Sequence, residues 1–409
     1  MDIRTGYDYA LEQKSLDIPE KEGEGTNSAF TFLCIIFLLT GFGLIMLYSS
    51  SYDEALSHGL PHYYYLVRQL AFVALACVVG LIVQKVPVTL FHAVAYPFAF
   101  FALVLMGLTL FTPLGSTVLG ARRWLRIGPL SLQPVEIAKI AVIFLLAQWF
   151  STEQKNSFVR YFPPFVVMAL FALLILMQKD FSSTVVFVGL CLSMFVAGGM
   201  SIGILLLVCG AIAVPTVIAL FTMPYRIRRI ASFLMPDLDT NGANYQVSNA
   251  IKAIEKGGLF GVGLGKGVAK QGILPEVQND FIFASMFEEL GLIWMLFLVA
   301  LFVMFAILGY KTFVRASRRD PFLGYLDFGM TTMVVWQAII NIAVVTGLLP
   351  PTGIPLPFFS QGGTNIFVVL VCCAVMYRIM LISSGRQPLE KSHLRKDQKK
   401  IVEFPSTAS

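Results

Sequence analysis

The carboxylate of Asp280 stands directly before a long apolar segment and is followed by Phe281 and Phe283. A low-dielectric setting disfavours a charged carboxylate, so Asp280 would hold a proton more strongly than an exposed aspartate. That property suits a general base, which takes a proton from a reacting hydroxyl. The position also suits an N-cap, where an Asp stabilises a helix by about 1 kcal/mol. Taken alone, this stretch favours capping over catalysis.

A second set of ionisable residues surrounds the start of another apolar segment. Arg122 and Arg123 precede Trp124, and Glu136 and Lys139 follow within one short stretch. Glu136 and Lys139 are three residues apart, so on a helix they share a face and can form an ion pair. Arginines beside a tryptophan are typical of an interfacial belt that reaches lipid phosphates. Contact with a ligand is equally well supported, because intramembrane ionisable residues are candidates for function.

Two further places carry charged residues between apolar segments. Lys179 and Asp180 are adjacent, and they can neutralise each other or line a polar cavity that opens outward. The sequence does not decide between these two roles. Farther along the chain, Arg226 and Arg228 open a long polar loop that also contains Glu276.

The long loop, 223–285, contains an amphipathic stretch and a glycine-rich run. Val247 and Ile251 share one helical face and Asn249 lies on the opposite face, which predicts a helix in the membrane interface. The run 257–267 that follows lacks residues that a P-loop requires. We therefore expect a flexible segment with backbone amides open to an anion, and we expect no ATP site.

The segment 347–365 carries four prolines and four glycines between two apolar segments. Such a composition is incompatible with a regular helix. Non-helical backbone at membrane depth is tolerated only where it lies against protein or a water-filled cavity. This segment, which includes Ser360, is therefore predicted to be a re-entrant floor of an outward-facing cavity.

The elements that must position these residues are membrane helices. Of the 409 residues, 57% are hydrophobic and only 13% are charged. A soluble domain has about 25% charged residues. The composition excludes a soluble globular enzyme, a disordered protein and a nucleic-acid-binding protein. The net charge of +6 is spread over tails and loops, so it bears on topology and on contacts with anionic lipid.

A helix that crosses a bilayer needs about 20 mainly apolar residues. By this criterion the chain is predicted to be an all-α polytopic membrane protein of about ten transmembrane helices, with the long outer loop between spans seven and eight. The predicted spans are 29–49, 66–84, 89–112, 134–150, 162–177, 182–200, 202–222, 286–309, 325–349 and 365–384.

Basic residues predict the orientation of these spans. Ten spans place both termini on one side, and the positive-inside rule assigns the loop with Lys311 and Arg315 to the cytoplasm. Other basic residues then lie on the outer side, where an anionic ligand is the simplest explanation. Three regions follow: a disordered cytoplasmic tail, 1–27, a membrane domain, 28–385, and a basic cytoplasmic tail, 386–409.

Neither the cysteines nor the histidines form a metal-ligand pattern. All six cysteines lie in apolar runs, and the four histidines are scattered along the chain. A divalent cation, Mg²⁺ or Mn²⁺, could assist chemistry at a pyrophosphate, but no ligand cluster requires one. No cofactor is therefore predicted with certainty.

Several segments, in order, resemble the SEDS (shape, elongation, division and sporulation) family of bacterial peptidoglycan glycosyltransferases. The likeness covers residues from about 30 to 385. Tyr225-Arg226 and the stretch around Phe181 are more similar to division-type than to elongation-type members. The matching segments are GARRW (120–124), QPVEIAK (133–139), QKDFSST (178–184), the loop from YQVSNAIKAI to FASMFEELG (245–291), and GLLPPTGIPLPFFSQGG (347–363).

The resemblance implies polymerisation of lipid II, an undecaprenyl-pyrophosphoryl disaccharide-pentapeptide, into glycan strands at the outer face of the bacterial inner membrane. It places the family's catalytic carboxylate on Asp280, as general base, and so reverses the preference for capping. Other polar residues become candidates for binding the substrate and its pyrophosphate. These are Arg122, Arg123, Trp124, Glu136, Lys139, Lys179, Asp180, Arg226, Arg228, Glu276 and Ser360.

The same resemblance implies partners. They are lipid II with the growing glycan strand, a class B penicillin-binding protein transpeptidase, and other membrane proteins of the division complex, with no nucleic acid.

The chain departs from the family pattern close to these residues. Gln278-Asn279 stands where His-Thr is usual, Lys179 replaces a proline, and Gln361 replaces a tyrosine. Three alternatives therefore stay open: an elongation-type polymerase, a flippase or other transporter of lipid-linked precursors, and a silent scaffold. Transporter sites usually lie near the bilayer midplane, so the depth of Asp280 discriminates.

Overall fold

The computed structural model describes residues 24–118, 120–128, 130–152, 157–207, 210, 243–274 and 277–387. Three of the predicted site residues, Arg226, Arg228 and Glu276, lie outside these ranges. Most of the predicted seventh span and most of both tails also lie outside them.

Long apolar helices dominate the described residues. Eight of them are long and apolar enough to cross a membrane, and one apolar helix, α6, is shorter. The predicted polytopic helical membrane architecture is confirmed. The helices are α1 (Glu24–Ser57), α2 (Tyr64–Val83), α3 (Val88–Phe111), α4 (Pro134–Ser151), α5 (Ser157–Met177), α6 (Phe181–Ala197), α7 (Ala243–Gly257), α8 (Ile282–Ser317), α9 (Pro321–Val345) and α10 (Gly363–Ser383).

Three helices form the centre of the bundle. The apolar windows of α4, α9 and α10 are 78%, 67% and 67% buried, whereas those of the other candidate spans are at most 33% buried. Polar residues on these three helices are therefore enclosed by protein and not by lipid. Such buried polar residues include Glu136 and Lys139 on α4, Asn341 on α9 and Asn365 on α10.

The segment between α3 and α4 folds into a small antiparallel sheet that was not predicted from the sequence. Its strands are β1 (Gly115–Val118), β2 (Ala121–Ile127) and β3 (Leu130–Leu132), in that order. Ala121 and Leu125 of β2 are buried, at 7% and 1% exposure. Trp124 pairs with Ser116 across the sheet, and Arg122 pairs with Thr117. The sheet thus presents Arg122, Arg123 and Trp124 from its central strand.

The predicted amphipathic helix is present as α7, and it packs against α8. Val247 and Ala250 are buried, as the pattern indicates. The assignment of two other residues was wrong, since Ile251 is 36% exposed and Asn249 only 9% exposed. Asn249 is enclosed because its side-chain amide donates a hydrogen bond of 3.2 Å to the main-chain oxygen of Ile273.

A backbone break divides α8 into two arms. Gly291 has φ 79° and ψ 179°, values that no helical residue adopts. We call residues 282–290 the short arm and residues 292–317 the long arm. The short arm begins directly after Phe281, which occupies the N-cap position and forms no side-chain cap bond.

The segment 346–362 enters the helix bundle, as predicted for a re-entrant floor. The rings of Phe358 and Phe305 lie 6.2 Å apart between centroids. Since a helix rises 1.5 Å per residue, Phe305 is about 20 Å beyond Gly291 along the long arm. On the other side, Gly43 of α1 contacts the segment so closely that a Cβ would lie 2.2 Å from the main-chain oxygen of Phe358.

Candidate active site

Asp280 lies where the start of α8, the C-terminal part of α9 and the re-entrant segment meet. The side-chain amide of Asn341 donates to the main-chain oxygens of Asp280, at 2.7 Å, and of Ile354, at 2.8 Å. A Cβ built on Gly353 would lie 3.7 Å from the carboxylate oxygen Oδ2 of Asp280. Because Gly353 is exposed and has no side chain, it leaves this face of the carboxylate accessible.

The re-entrant segment is tied to the residues before Asp280. The main-chain amide of Gln361 donates to the main-chain oxygen of Gln278, at 2.8 Å. Gln69 on α2 holds the same turn, since its amide donates to the main-chain oxygen of Ser360, at 3.1 Å. Ser360 is only 2% exposed, and its hydroxyl accepts from the amide of Leu356, at 2.8 Å. These contacts place Ser360 in the scaffold of the site, and substrate contact by its hydroxyl stays a prediction.

Glu136 and Lys139 form the ion pair that their spacing predicts. The Lys139 ammonium lies 2.7 Å from Oε1 of Glu136, and each residue is 4% exposed. The side-chain amide of Asn365 donates to the other carboxylate oxygen, at 3.1 Å. This cluster joins the start of α4 to the start of α10, so it holds two central helices together.

Arg123 and Asp180 bring the sheet and the start of α6 together. The guanidinium nitrogen Nη1 of Arg123 lies 3.7 Å from Oδ2 of Asp180. Oδ1 of the same carboxylate accepts from the amide of Ser183, at 3.1 Å, so Asp180 is the N-cap of α6. Lys179 is exposed, with φ 62°. Of the two roles left open for Lys179 and Asp180, mutual neutralisation is not seen, because the ion pair of Asp180 is with Arg123.

Arg122 serves the local fold. Its guanidinium donates to the main-chain oxygen of Thr112, and its main-chain amide donates to that of Gln178, at 3.0 Å. These bonds attach the sheet to the ends of α3 and α5. Trp124 is partly buried beside it on β2.

The expectation of a flexible glycine-rich run, 257–267, with amides open to an external anion was wrong. The amide of Gly265 donates to Glu289, at 3.0 Å, and the amide of Ala269 just beyond the run donates to Glu288, at 2.9 Å. The anion that the amides bind is thus a carboxylate of the same chain. This contact was not predicted, because the two segments meet only in the folded protein.

Asn341, Gln69 and Gly353 were not identified from the sequence. Asn341 and Gln69 carried one signal, since each is a polar residue inside a predicted apolar span. Among the residues that the structure describes, no group of three or more His, Cys, Asp or Glu could hold a metal ion.

Comparison with known proteins agrees with this architecture. The profile of the FtsW/RodA/SpoVE family, described as "Cell cycle protein", matches residues 30–384. A protein of Pseudomonas fluorescens (strain SBW25) named "Probable peptidoglycan glycosyltransferase FtsW" is 33% identical over 362 residues, covering 87% of this chain and 89% of that protein. A protein of Borreliella burgdorferi with the same name is 32% identical over 352 residues, or 85% and 95% of the two chains.

Two solved structures share the fold. One chain, from "Structural coordination of polymerization and crosslinking by a peptidoglycan synthase complex", has a TM-score of 0.69 at 24% identity and covers 87% of this chain and 98% of its own. The rod shape determining protein RodA of Thermus thermophilus has a TM-score of 0.63 at 21% identity, covering 88% and 97%. The family profile and the relatives at about one-third identity show that this multi-pass membrane protein belongs to the FtsW/RodA/SpoVE family, the SEDS family that its sequence resembles.

Proposed function

We propose that this protein is a division-type peptidoglycan glycosyltransferase that polymerises lipid II at the outer face of the inner membrane during septal wall synthesis. The observation that carries the proposal is the position of Asp280, held by Asn341 beside the exposed Gly353. Relatives named FtsW, matched over most of their length, support the division-type assignment.

In this proposal Asp280 is the general base. Its carboxylate takes the proton from the 4-hydroxyl of the acceptor sugar as that oxygen attacks the anomeric carbon of the donor. The new glycosidic bond forms while the bond from the anomeric carbon to the pyrophosphate oxygen breaks. The polyprenyl pyrophosphate leaves with the electron pair, and the transition state has oxocarbenium character.

Cations near the outer surface would stabilise the leaving pyrophosphate. Arg123 fits this role because its side chain is 26% exposed and an arginine can bind a phosphate through two nitrogens. Lys179 is also exposed, and it directly precedes Asp180, the ion-pair partner of Arg123. Lys139 is less suited, since it is enclosed with Glu136. Arg226 and Arg228 remain candidates from the sequence alone.

The depth of Asp280 favours a transferase over a transporter. Asn341, which holds it, lies one turn before the end of α9 at Val345. The site is therefore close to the end of a span and not at its middle, where transporter sites usually lie. A polymerase at that level meets the sugar and pyrophosphate of lipid II while the apolar spans face its tail.

The proposal includes orientation and partners. Both termini are cytoplasmic, with tails at 1–27 and 386–409 around the membrane domain, 28–385. Lys311 and Arg315, at the C-terminal end of α8, support this orientation. A class B penicillin-binding protein is the expected partner, together with other division proteins. Similarity to a chain from a complex named for polymerization and crosslinking supports such a partner.

The test is gel-resolved polymerisation of purified lipid II by the detergent-solubilised protein, with and without its transpeptidase. Glycan ladders support the transferase. If no mixture gives ladders and the protein transports lipid II across vesicle membranes, the results would favour a flippase over a transferase. Depletion in cells distinguishes the two polymerase roles: filaments indicate division and rounded cells indicate elongation.

A further inference from the structure

The short arm of α8 carries two enclosed carboxylates that the proposed chemistry does not use. Glu288 and Glu289 are 0% and 1% exposed. The ammonium of Lys256 on α7 lies 3.2 Å from Oε1 of Glu288. The ammonium of Lys270 lies 2.7 Å from Oε1 of Glu289. Each buried charge thus has an opposite charge from a different part of the outer loop.

Hydrogen bonds occupy the other positions around the Glu289 carboxylate. The hydroxyl of Ser49 on α1 donates to both of its oxygens, at 2.9 and 2.7 Å, and the amide of Gly265 donates to Oε2, at 3.0 Å. The Lys270 ammonium also donates to the Ser49 hydroxyl, at 3.0 Å. A buried ion pair is stabilised when further hydrogen bonds satisfy its remaining groups, and Ser49 and Gly265 supply such bonds here.

The Glu288 carboxylate is held in the same manner. The amides of Val268 and Ala269 donate to its two oxygens, at 3.1 and 2.9 Å. The end of the short arm is fixed as well, since the amides of Val262 and Gly263 donate to the main-chain oxygens of Glu288 and Glu289, at 2.9 and 3.0 Å.

A helix as short as this arm has little stability of its own, so its orientation depends on such anchors. The arm lies between Asp280, just before its start, and the backbone break at Gly291. Rotation or translation of the arm would move Asp280 relative to Gly353 and Asn341.

We propose that Glu288 and Glu289 are positioning residues for Asp280. Two turns away along the short arm, they fix its direction through Lys256, Lys270 and Ser49, and so fix the proposed base against the re-entrant segment. This inference rests on the proposed function. It differs from a purely stabilising role because it requires turnover to fall while the fold and substrate binding persist.

The kinetic test uses Glu289→Gln, which keeps the shape of the side chain and removes its charge. We expect the kcat of lipid II polymerisation to fall about 10- to 100-fold, as for a displacement near 1 Å, with KM changed by less than about threefold. Lys270→Arg keeps the cation and should restore most of the turnover that Lys270→Met loses. Glu255→Gln removes an exposed acid from α7 and is the matched control, with wild-type kinetics expected.

Hydrogen–deuterium exchange of the same proteins gives a readout that does not depend on activity. We expect Glu289→Gln to speed exchange in 277–290 while exchange in α9 is unchanged. If Glu289→Gln does not accumulate, the neutral pair Glu289→Gln/Lys270→Met replaces it in both measurements.

Unchanged exchange in 277–290, or wild-type kcat in the variant, would overturn the positioning role alone. A wild-type protein that makes no glycan would overturn the proposed function, and exchange would still decide whether the carboxylates hold the arm.

Discussion

The side-chain amide of Asn341 lies 2.7 Å from the main-chain oxygen of Asp280 and 2.8 Å from that of Ile354. One buried residue on a central helix therefore sets the distance between the proposed base and the re-entrant segment. The contact does not occupy the Asp280 carboxylate, since it is made to the backbone.

Replacing Asn341 should affect both stability and turnover. Asn341→Leu keeps the volume but removes the donor to one buried and one partly buried carbonyl group, at a cost of up to about 1–3 kcal/mol each. Unfolding in detergent and lipid II turnover measure the two effects, with the lipid-exposed Ile339→Val as control. A variant as stable and as active as wild type would refute the role given to this contact.

The protein should be more stable with both charges of the Glu136–Lys139 pair, or with neither, than with only one of them. Lys139→Met leaves an enclosed carboxylate without its cation and should destabilise the protein by about 3–5 kcal/mol. The double variant Glu136→Gln/Lys139→Met should recover a large part of that loss. A double-mutant cycle of unfolding free energies measures the coupling, and strictly additive losses would contradict it.

Two glycines with the same φ differ in the space around them. Gly265 and Gly291 both have φ +79°. A Cβ on Gly265 meets nothing within 4 Å, whereas one on Gly291 lies 2.3 Å from the amide nitrogen of Gly261. Gly265→Ala should cost about 1–2 kcal/mol from the left-handed conformation alone. Gly291→Ala should cost clearly more, because its ψ of 179° adds backbone strain and its Cβ would collide with Gly261. Equal melting temperatures for the two variants would argue against the tight contact.

Arg123 should matter for turnover as well as for stability. Arg123 is partly exposed, but the Asp180 side chain is only 3% exposed, so Arg123→Gln leaves an enclosed carboxylate without its cation and should destabilise the protein by about 1–3 kcal/mol. If its guanidinium binds pyrophosphate, polymerisation should slow about tenfold or more, because charged hydrogen bonds contribute about 1.5–3 kcal/mol.

The matched variant is Asp180→Asn, which removes the charge but keeps an oxygen that can cap α6. Its stability should stay close to that of wild type. Full turnover by Arg123→Gln would remove Arg123 from the substrate site.

The parts of the site that were predicted are those that local spacing determines. Membrane helices follow from runs of apolar residues, and the Glu136–Lys139 pair follows from a three-residue separation on one helix. The proline- and glycine-rich segment was predicted to enter the bundle because no regular element accommodates it. In each case a short stretch of sequence is sufficient for the prediction.

The parts that were missed depend on distant segments. Ser49 and Glu289 are 240 residues apart in the chain, and nothing local in either segment indicates their contact. For Asn341 the sequence showed only a polar residue inside a predicted span and did not indicate its partners. The small sheet was missed because its strands are short and β2 carries three arginines, which resemble a membrane-surface loop.

The most direct test of the account compares wild type with Asp280→Asn in lipid II polymerisation, each with and without the transpeptidase. The asparagine is nearly isosteric and keeps the main-chain oxygen that Asn341 binds, so the variant should fold and melt like wild type. The account predicts glycan ladders from wild type and none from Asp280→Asn. Ladders of equal intensity from the folded variant would show that Asp280 is not the base.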